Sequence, residues 1–407
     1  MPRRPEHNPL RVLFVNPFAQ RLSGPDESLL LLLRHLESAV DATVALPPGS
    51  PFRERYLAAG ASLVELPLSR IQRFTSPGEM TAYVGRLAAA TVRLGRVVRH
   101  LRPQLVHCNM EVCLEAGLAA RLSGVPSVYH YRGNTLDDPR RVFDVLTRVW
   151  TTLADHLFAI SEGCADVFRR RGLGDRVEVL YNALELDDFT RPRDPSGTRR
   201  ALGIPPNDTV VLTVGRLHPR KDHETLLRAA AASTASPKPW WLVAGSPDGP
   251  DAAAYEARMR GLARELGLGE RVRFLGARDD VPDLLAASDV FVMTSRHEGF
   301  GRAAAEAMAA GKPCVLTDEG AFPELIDPGT HGLLCPPGDA TAFARAIDAL
   351  LGAPERRRAM GEQARRRAVE RYDARRQAER VLATYHALVA RAPAPAAPRD
   401  PRFEASP

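Results

Sequence analysis

Nine residues, Val214-Gly215-Arg216-Leu217-His218-Pro219-Arg220-Lys221-Asp222, set an apolar run and a glycine ahead of two kinds of cation. Arginine clamps phosphate oxygens through a rigid fork and lysine supplies a compact point charge, so Arg216 with Lys221 suits a diphosphate. Asp222 is the expected N-cap of the helix that follows. The lysine stands out, because of 55 basic residues only Lys221, Lys238 and Lys312 are not arginine. A second constellation, Ser295-Arg296-His297-Glu298-Gly299-Phe300-Gly301, follows another apolar run and leads into a helix with Glu306. Its glycines let backbone approach a ligand, and the N–H groups that open the helix can meet an anion. Glu298 in the loop and Glu306 in the second helical turn can face one pocket, where two carboxylates suit a polyhydroxylated ligand. The plainer readings are a solvated basic loop and an ordinary helix-surface acid. Gly299-Phe300-Gly301-Arg302-Ala303-Ala304 also fits G-x-G-x-x-A with Asp318 downstream, the signature of a nucleotide-dependent oxidoreductase. Ser295–Glu298 intervene between it and its strand, and several βα units precede it, which weighs against that reading.

The hydrophobic pattern shows what must hold these loops. Apolar runs at Leu10–Val15, Ala42–Leu46, Gln104–Cys108 and Ser127–Tyr131 read as strands, with helical runs such as Glu27–Leu36 between them. The polar segment Asp187–Thr198 reads as a linker and domain boundary, and after it the alternation restarts. Strands are expected at Thr209–Val214, Trp240–Ala244, Val272–Phe274, Val290–Met293, Pro313–Leu316 and Gly332–Leu334, and helices at Thr225–Ala232 and Ala252–Leu266. A repeated βα pattern predicts parallel α/β sheets covered on both faces, here two Rossmann-like halves. Ligands of such sheets sit beyond the carboxyl ends of the strands, so the cleft between the halves is the expected site. Residues 340–391 read as helical, and the Pro/Ala-rich tail from Ala392 as disordered.

Composition narrows the class. A chain of 407 residues, 44% hydrophobic and 26% charged, fits two to three globular domains. No apolar run nears the ~18 residues of a membrane span. Met1-Pro2-Arg3-Arg4-Pro5 lacks the apolar core of a signal peptide. Cys108, Cys113, Cys164, Cys314 and Cys335 are too scattered for a disulfide framework or a zinc site and suit a reducing cytoplasm. The net charge of +6 is local: residues 354–391 hold 11 Arg against 5 acids and the rest balances, so no nucleic-acid partner is expected. Between Glu79 and Glu111 there is no acid, whereas Arg86, Arg93, Arg96, Arg99 and Arg102 are present. Leu87, Thr91, Leu94, Val98 and Leu101 have the spacing of a core face and leave the arginines outside. That basic face reads either as solvated or as a peripheral contact with an anionic membrane.

Together these segments resemble the retaining glycosyltransferases of family 4, which have the two-domain GT-B fold. The residues that carry the resemblance are Gly215-Arg216-Leu217 with Lys221-Asp222, and Glu298-Gly299-Phe300-Gly301 with Glu306 in the family's E-x7-E spacing. Gly320-Ala321-Phe322-Pro323-Glu324-Leu325-Ile326 and Gly329-Thr330-His331-Gly332-Leu333-Leu334 match its later glycine motifs. Pro103-Gln104-Leu105-Val106-His107 and Tyr181-Asn182-Ala183 match upstream segments. The resemblance covers roughly residues 10–390. It implies an acceptor-side domain over 1–190, a nucleotide-sugar-binding domain over 191–372, a helix over 373–391 crossing back, and a disordered tail over 392–407. The implied enzyme is a metal-independent hexosyltransferase of glycan biosynthesis, either wholly cytoplasmic or cytoplasmic and peripheral at the inner face of the membrane. It would move a sugar from a nucleotide-diphosphate sugar, with retention, to an unidentified glycan, lipid-linked or small-molecule acceptor. Arg216, Lys221 and Glu298 would form its catalytic set, with Gly215, Gly299, Phe300 and Gly301 completing the donor site and Glu306 taking the ribose. No cofactor or metal is implied, so Asp137-Asp138, Asp187-Asp188 and Asp279-Asp280 are expected to be turn or cap residues. A non-catalytic nucleotide-sugar-binding subunit that keeps the fold is the remaining reading.

The first half departs from the family pattern. Ser23-Gly24-Pro25-Asp26 stands where G-G-x-E is usual, and Arg132 stands where many members place a histidine, with His130 two residues earlier on the same face. Arg132 reads either as a clamp for a phosphate or acidic group or as half of a structural ion pair. Gly24, His107, Asn109, His130, Arg132 and Asn182 are the expected acceptor-side or cleft residues, with His107 reading equally as a satisfied structural histidine.

Overall fold

Apolar runs bounded by turn residues become parallel strands in the computed structural model, which describes residues 9–17, 24–71, 76–133, 140–172, 174–249 and 251–392. The first sheet holds β1 (Leu10–Val15), β2 (Val40–Leu46), β3 (Ser62–Glu65), β4 (Leu105–Cys108), β5 (Ser127–Tyr131), β6 (His156–Ala159) and β7 (Val177–Val179). Their order is β3-β2-β1-β4-β5-β6-β7. The second holds β8 (Val210–Val214), β9 (Trp240–Ala244), β10 (Val272–Gly276), β11 (Val290–Met293), β12 (Cys314–Thr317) and β13 (Gly332–Cys335), in the order β10-β9-β8-β11-β12-β13. Pairing is parallel across both centres, as in Val12 opposite Leu105 and Val290 opposite Val211. Strands with helices on both faces bury every residue, which is why β4, β5, β9, β11 and β12 are buried throughout and read as unbroken runs. In the second sheet Val211, Val243, Val292 and Val315 pack against Leu226 and Leu227 of the His223–Ala232 helix and Phe343 and Ile347 of the Ala340–Leu351 helix.

Strand order reverses between β1 and β4, and again between β8 and β11. At such switch points the connecting loops part on opposite faces and leave a crevice at the carboxyl ends of the strands. The loops after β8 and β11 are the two constellations that the sequence singles out.

The chain divides into two compact units that follow its order only in part. One contains the described residues of Met1–Ala159 and Phe168–Glu178 together with the chain from Ala378; the other contains Ile160–Val167 and Val179–Gln377. Asn182, expected on the acceptor side, therefore belongs to the second unit. The reason is local: Leu184 N–H donates to Tyr372 O at 2.8 Å and Gln377 Nε2 donates to Tyr181 O at 2.6 Å. The polar segment Asp187–Thr198 holds most of a helix at Leu186–Thr190 and the start of another at Pro195–Ala201, capped by Asp194, whose carboxylate accepts the Ser196 N–H at 2.9 Å. Asp187 and Asp188 sit in the first turn of the former, and Asp280 is the N-cap residue of the Val281–Ala287 helix. Asp137-Asp138, Ser23 and the tail from residue 393 lie outside the described residues. All five cysteines are buried and free. Among the described residues no helix is long and apolar enough to cross a membrane.

Candidate active site

β8 ends at Val214 and runs into Gly215, whose N–H still donates to Ala244 O at 2.9 Å. Beside it Gly245 has φ +150°, and a Cβ there would lie 1.8 Å from Gly215 O, so two bare backbones pass each other at this corner. The loop then makes one tight turn, Pro219–Lys221, and Asp222 takes the left-handed conformation with φ 47°. Asp222 caps the next helix as expected: its carboxylate accepts the Thr225 N–H at 3.4 Å and the Thr225 hydroxyl at 2.9 Å.

The loop after β11 is sewn to this one. Thr294 Oγ1 donates to Lys221 O at 3.1 Å and to Asp222 O at 2.9 Å. The Arg296 N–H donates to Arg220 O at 2.8 Å, and its Nε donates to the Asp222 carboxylate at 3.0 Å. On the other side the Ala321 N–H donates to Glu298 O at 3.0 Å, and a Cβ on Gly320 would lie 2.6 Å from that same oxygen. His297 is held at φ 57° with its Nδ1 2.7 Å from the Glu319 carboxylate. A side chain in the left-handed region costs roughly 1 kcal/mol or more. His297 and Asp222 both adopt it here, so their neighbours over-determine the shape of the two loops.

The charges are arranged on that frame. Lys221 Nζ forms an ion pair with the Glu298 carboxylate, with 19% and 17% of the side chains exposed. Arg216 reaches out with 64% of its side chain exposed and pairs with Asp248. Glu306 accepts from Arg302 Nε at 2.9 Å one helical turn away. The Arg302–Ala309 helix begins at Gly301, φ 86°, with no side chain capping it. The sequence-derived residues Gly215, Arg216, Lys221, Glu298, Gly299, Phe300, Gly301 and Glu306 thus lie on two stitched loops and the helix that follows, all in the second unit. Asp248 and Glu319 were not singled out from sequence, because only the fold brings them to these loops, and Arg296 and Arg302 lie within the sequence motifs without a role assigned there.

Phe300 can meet a donor through its backbone, as the family pattern implies, and not through its ring. Its ring is buried, 5.3 Å from Tyr372 edge-on and 6.1 Å from Tyr181, over which Arg371 sits at 5.2 Å. It anchors the loop from beneath, and only its backbone remains for a ligand. Glu324, in the first glycine motif, accepts the N–H groups of Glu162 and Gly163 at 2.7 and 2.8 Å and the Tyr181 hydroxyl at 3.4 Å. Burial raises its carboxyl above the ordinary range.

In the first unit a buried polar network occupies the β1/β4 switch. Asn16 Nδ2 donates to the Asp26 carboxylate at 2.7 Å and lies 2.8 Å from the Tyr56 hydroxyl, which donates to Asp26 at 3.2 Å. Asn109 Nδ2 donates to Asn16 Oδ1 at 3.4 Å and to Pro25 O at 3.3 Å. Arg132 closes the network, donating from Nε to Asn109 O at 2.9 Å and from Nη2 to Asn109 Oδ1 at 2.8 Å, while its N–H meets Glu111 at 3.0 Å. Buried polar groups need such partners, and Arg132 here acts as a brace. Gly24 is exposed at the start of the Gly24–Leu36 helix, next to the Pro25 carbonyl that joins the network. Asn16, Tyr56 and Glu111 carry no sequence signal of their own, and Asp26 stands out only as the last residue of Ser23-Gly24-Pro25-Asp26.

His107 and His130 are not cleft residues. They lie inside the unit, 0% and 3% exposed, with ring centroids 5.6 Å apart, and His107 Nδ1 shares a hydrogen bond with the Tyr385 hydroxyl. Burial, with the nearby Arg132 charge, pushes His107 down to about 3 and His130 well below the usual histidine range. Both rings are therefore neutral near pH 7 and far from poised as acids or bases.

Two Rossmann-like parallel units, the second presenting a basic loop and an E-x7-E loop at its switch point, make this a GT-B chain. Residues 196–367 match the model for glycosyl transferases group 1, and residues 23–183 match that for the glycosyl transferase 4-like domain. Together they span more than four-fifths of the sequence, and the chain belongs to the group 1 glycosyltransferases. A D-inositol 3-phosphate glycosyltransferase of Mycobacterium sp. strain JLS is 40% identical over 188 residues, 45% of this chain and 42% of the relative. The chain thus matches less than half the length of that curated relative. A second such enzyme, from Catenulispora acidiphila, is 28% identical over 364 residues, 84% of this chain and 82% of the relative. The Anabaena protein HepE, solved with UDP-glucose, superposes with a TM-score of 0.80 at 24% identity, over 93% of this chain and all of that one. The oxidoreductase reading gains no support: Thr294–Gly301 separate β11 from the helix, too long a link for a dinucleotide turn.

Proposed function

We propose that the chain transfers a sugar from a nucleotide-diphosphate sugar to an acceptor with retention of configuration, without a metal. The observation that carries this reading is the Lys221–Glu298 pair, fixed inside two loops sewn together at the β8/β11 switch. Lys221 and the exposed Arg216 supply the positive charge that a leaving diphosphate needs, which is the task a metal performs elsewhere. The uncapped start of the Arg302–Ala309 helix offers N–H groups to the same anion. Glu306 accepts the ribose hydroxyls and Glu298 those of the sugar. The anomeric C–O bond to phosphate breaks, the acceptor oxygen bonds to the same face of that carbon, and its proton passes to the departing phosphate oxygen. UDP is the first nucleotide to test, since HepE is solved with it.

Acceptor recognition is assigned to the loops at the β1/β4 switch, which the buried Asn16–Asp26–Asn109–Arg132 network holds in shape. A cytoplasmic setting accords with five buried free thiols. Peripheral membrane contact is assigned to the Pro77–Leu101 helix, which exposes Met80, Val84 and Val92 alongside Arg86, Arg96 and Arg99.

The test is a panel of UDP- and GDP-sugars followed by proton NMR from the first minutes. Slow hydrolysis releasing the donor's own anomer, lost in Glu306→Ala, is expected. Release of the inverted anomer would overturn retention, and activity that disappears with a chelator would overturn metal independence. Tight diphosphate binding without turnover of any donor would favour the non-catalytic reading.

A further inference from the structure

A concavity of about 800 Å³ opens on the first unit, lined among the described residues by Arg121, Asp144, Arg148, Thr151, Thr152, Arg171 and Arg176. Its place in the sheet separates it from the polar network. Thr152 and Ala154 lie just before β6, so the concavity sits at the amino-terminal ends of the strands, whereas Asn109 and Arg132 follow the carboxyl ends of β4 and β5.

We infer that this concavity binds a small anion carrying two or more linked phosphate groups. The first ground is charge. Four guanidiniums face one carboxylate, and Asp144 is already paired with Arg171. Asp155, the next acid along the chain, turns away to accept the Ser127 N–H at 2.8 Å. The second ground is preorganisation. The Arg140–Leu153 helix ends here, and its last carbonyls would repel an anion. Arg121 Nη1 donates to Thr152 O at 3.3 Å and Arg176 Nη1 donates to Ala154 O at 3.4 Å, so two guanidiniums mask that end and present their other N–H groups outward. Arg148 is exposed, and its guanidinium has no carboxylate partner among the described residues. The third ground is the lining. It holds arginine, aspartate and threonine only, with no ring or aliphatic side chain for a base or a sugar face, while the volume lies in the range of small-ligand sites. Linked phosphates, each matched by a guanidinium fork, fit this chemistry.

Titration calorimetry with tripolyphosphate tests the site. It is run on the wild-type chain and on Lys221→Met/Glu298→Gln, in which the donor-loop cation is absent. Saturable binding is expected in both, with affinity falling about tenfold in Arg148→Ser and further in Arg121→Ser/Arg148→Ser/Arg176→Ser. Arg148 makes no side-chain contact that folding needs, and an unchanged melting temperature checks this. Arg96→Ser/Arg99→Ser, on the exposed helix, should bind as wild type. Flotation with vesicles containing phosphatidylinositol bisphosphate assigns the source: Arg148-dependent flotation marks a lipid-borne phosphate, and Arg148-dependent titration with flotation unchanged in Arg148→Ser marks a free anion. Binding that is indifferent to Arg148→Ser, binding lost equally in Arg96→Ser/Arg99→Ser, or no binding in either arm would overturn the inference.

Discussion

Replacing Lys221 with methionine nearly preserves volume and removes one charge, which separates what that charge does for stability from what it does for binding. Its partner Glu298 has only 17% of its side chain exposed, so the variant strands a largely desolvated carboxylate. Deleting one partner costs roughly 3–5 kcal/mol in a buried pair and about 0–1 kcal/mol in an exposed one. At this exposure about 2 kcal/mol is expected. For a unit of this size each kcal/mol moves the midpoint by about 2–4 °C, giving a fall of about 4–8 °C. Lys221→Met/Glu298→Gln removes both charges and should recover most of that loss. Nucleotide binding should behave differently: single and double variants alike lose the cation facing the diphosphate, with UDP or GDP affinity down about tenfold or more. Calorimetric melting and nucleotide titration on the same three proteins, wild type included, measure both. A double variant that binds nucleotide like wild type would show that Lys221 serves only Glu298, and the diphosphate assignment would fail.

The buried histidines make stability depend on acidity. His107 has its folded pKa depressed to about 3, so below the ordinary value near 6.5 the unfolded chain takes up a proton that the native one refuses. The stability is intact above pH 6.5 and is lost as pH falls toward 3, about 2 kcal/mol of it between pH 7 and pH 5. In His107→Gln that share of the change in urea midpoint should vanish; an identical pH slope would refute the assignment. Gly245→Ala places a methyl group where only 1.8 Å separates it from Gly215 O and should cost about 3 kcal/mol or more while weakening nucleotide binding. An alanine variant with wild-type urea midpoint would show that the corner can relax. The exposed apolar residues of the Pro77–Leu101 helix should bring the chain up with anionic vesicles at physiological salt, and Val84→Ser with Val92→Ser should abolish this. No flotation of the wild type would remove membrane contact from the account.

The second unit was largely legible in the sequence because its chemistry is local. Residues 215–222 and 298–306 each hold their cations, glycines and acids within one loop and one turn of helix, and the strands feeding them are buried on both faces and read as unbroken apolar runs. β3, β6 and β7 are short and partly polar, so Ser62–Glu65, His156–Ala159 and Val177–Val179 gave no clear run. Capping, not periodicity, makes the helix at Pro195–Ala201, which is why it read as linker. The network of the first unit joins positions 16, 26, 56, 109 and 132; the sequence drew notice to Asp26, Asn109 and Arg132 separately, and only the parallel crossovers bring them together with Asn16 and Tyr56. His107 and His130 show the opposite failure. Their residue type suggested chemistry, but alternation along β4 and β5 says nothing about solvent when both faces of a sheet are covered.

The central claim is that the two stitched loops of the second unit hold a nucleoside diphosphate. Titration calorimetry of wild type and Glu306→Ala with UDP, GDP and NAD tests it most directly. The account expects one nucleoside diphosphate to bind, Glu306→Ala to weaken that binding about tenfold, and NAD to show no Glu306-dependent binding. NAD binding without diphosphate binding, or a Glu306→Ala isotherm identical to that of the wild type, would contradict it.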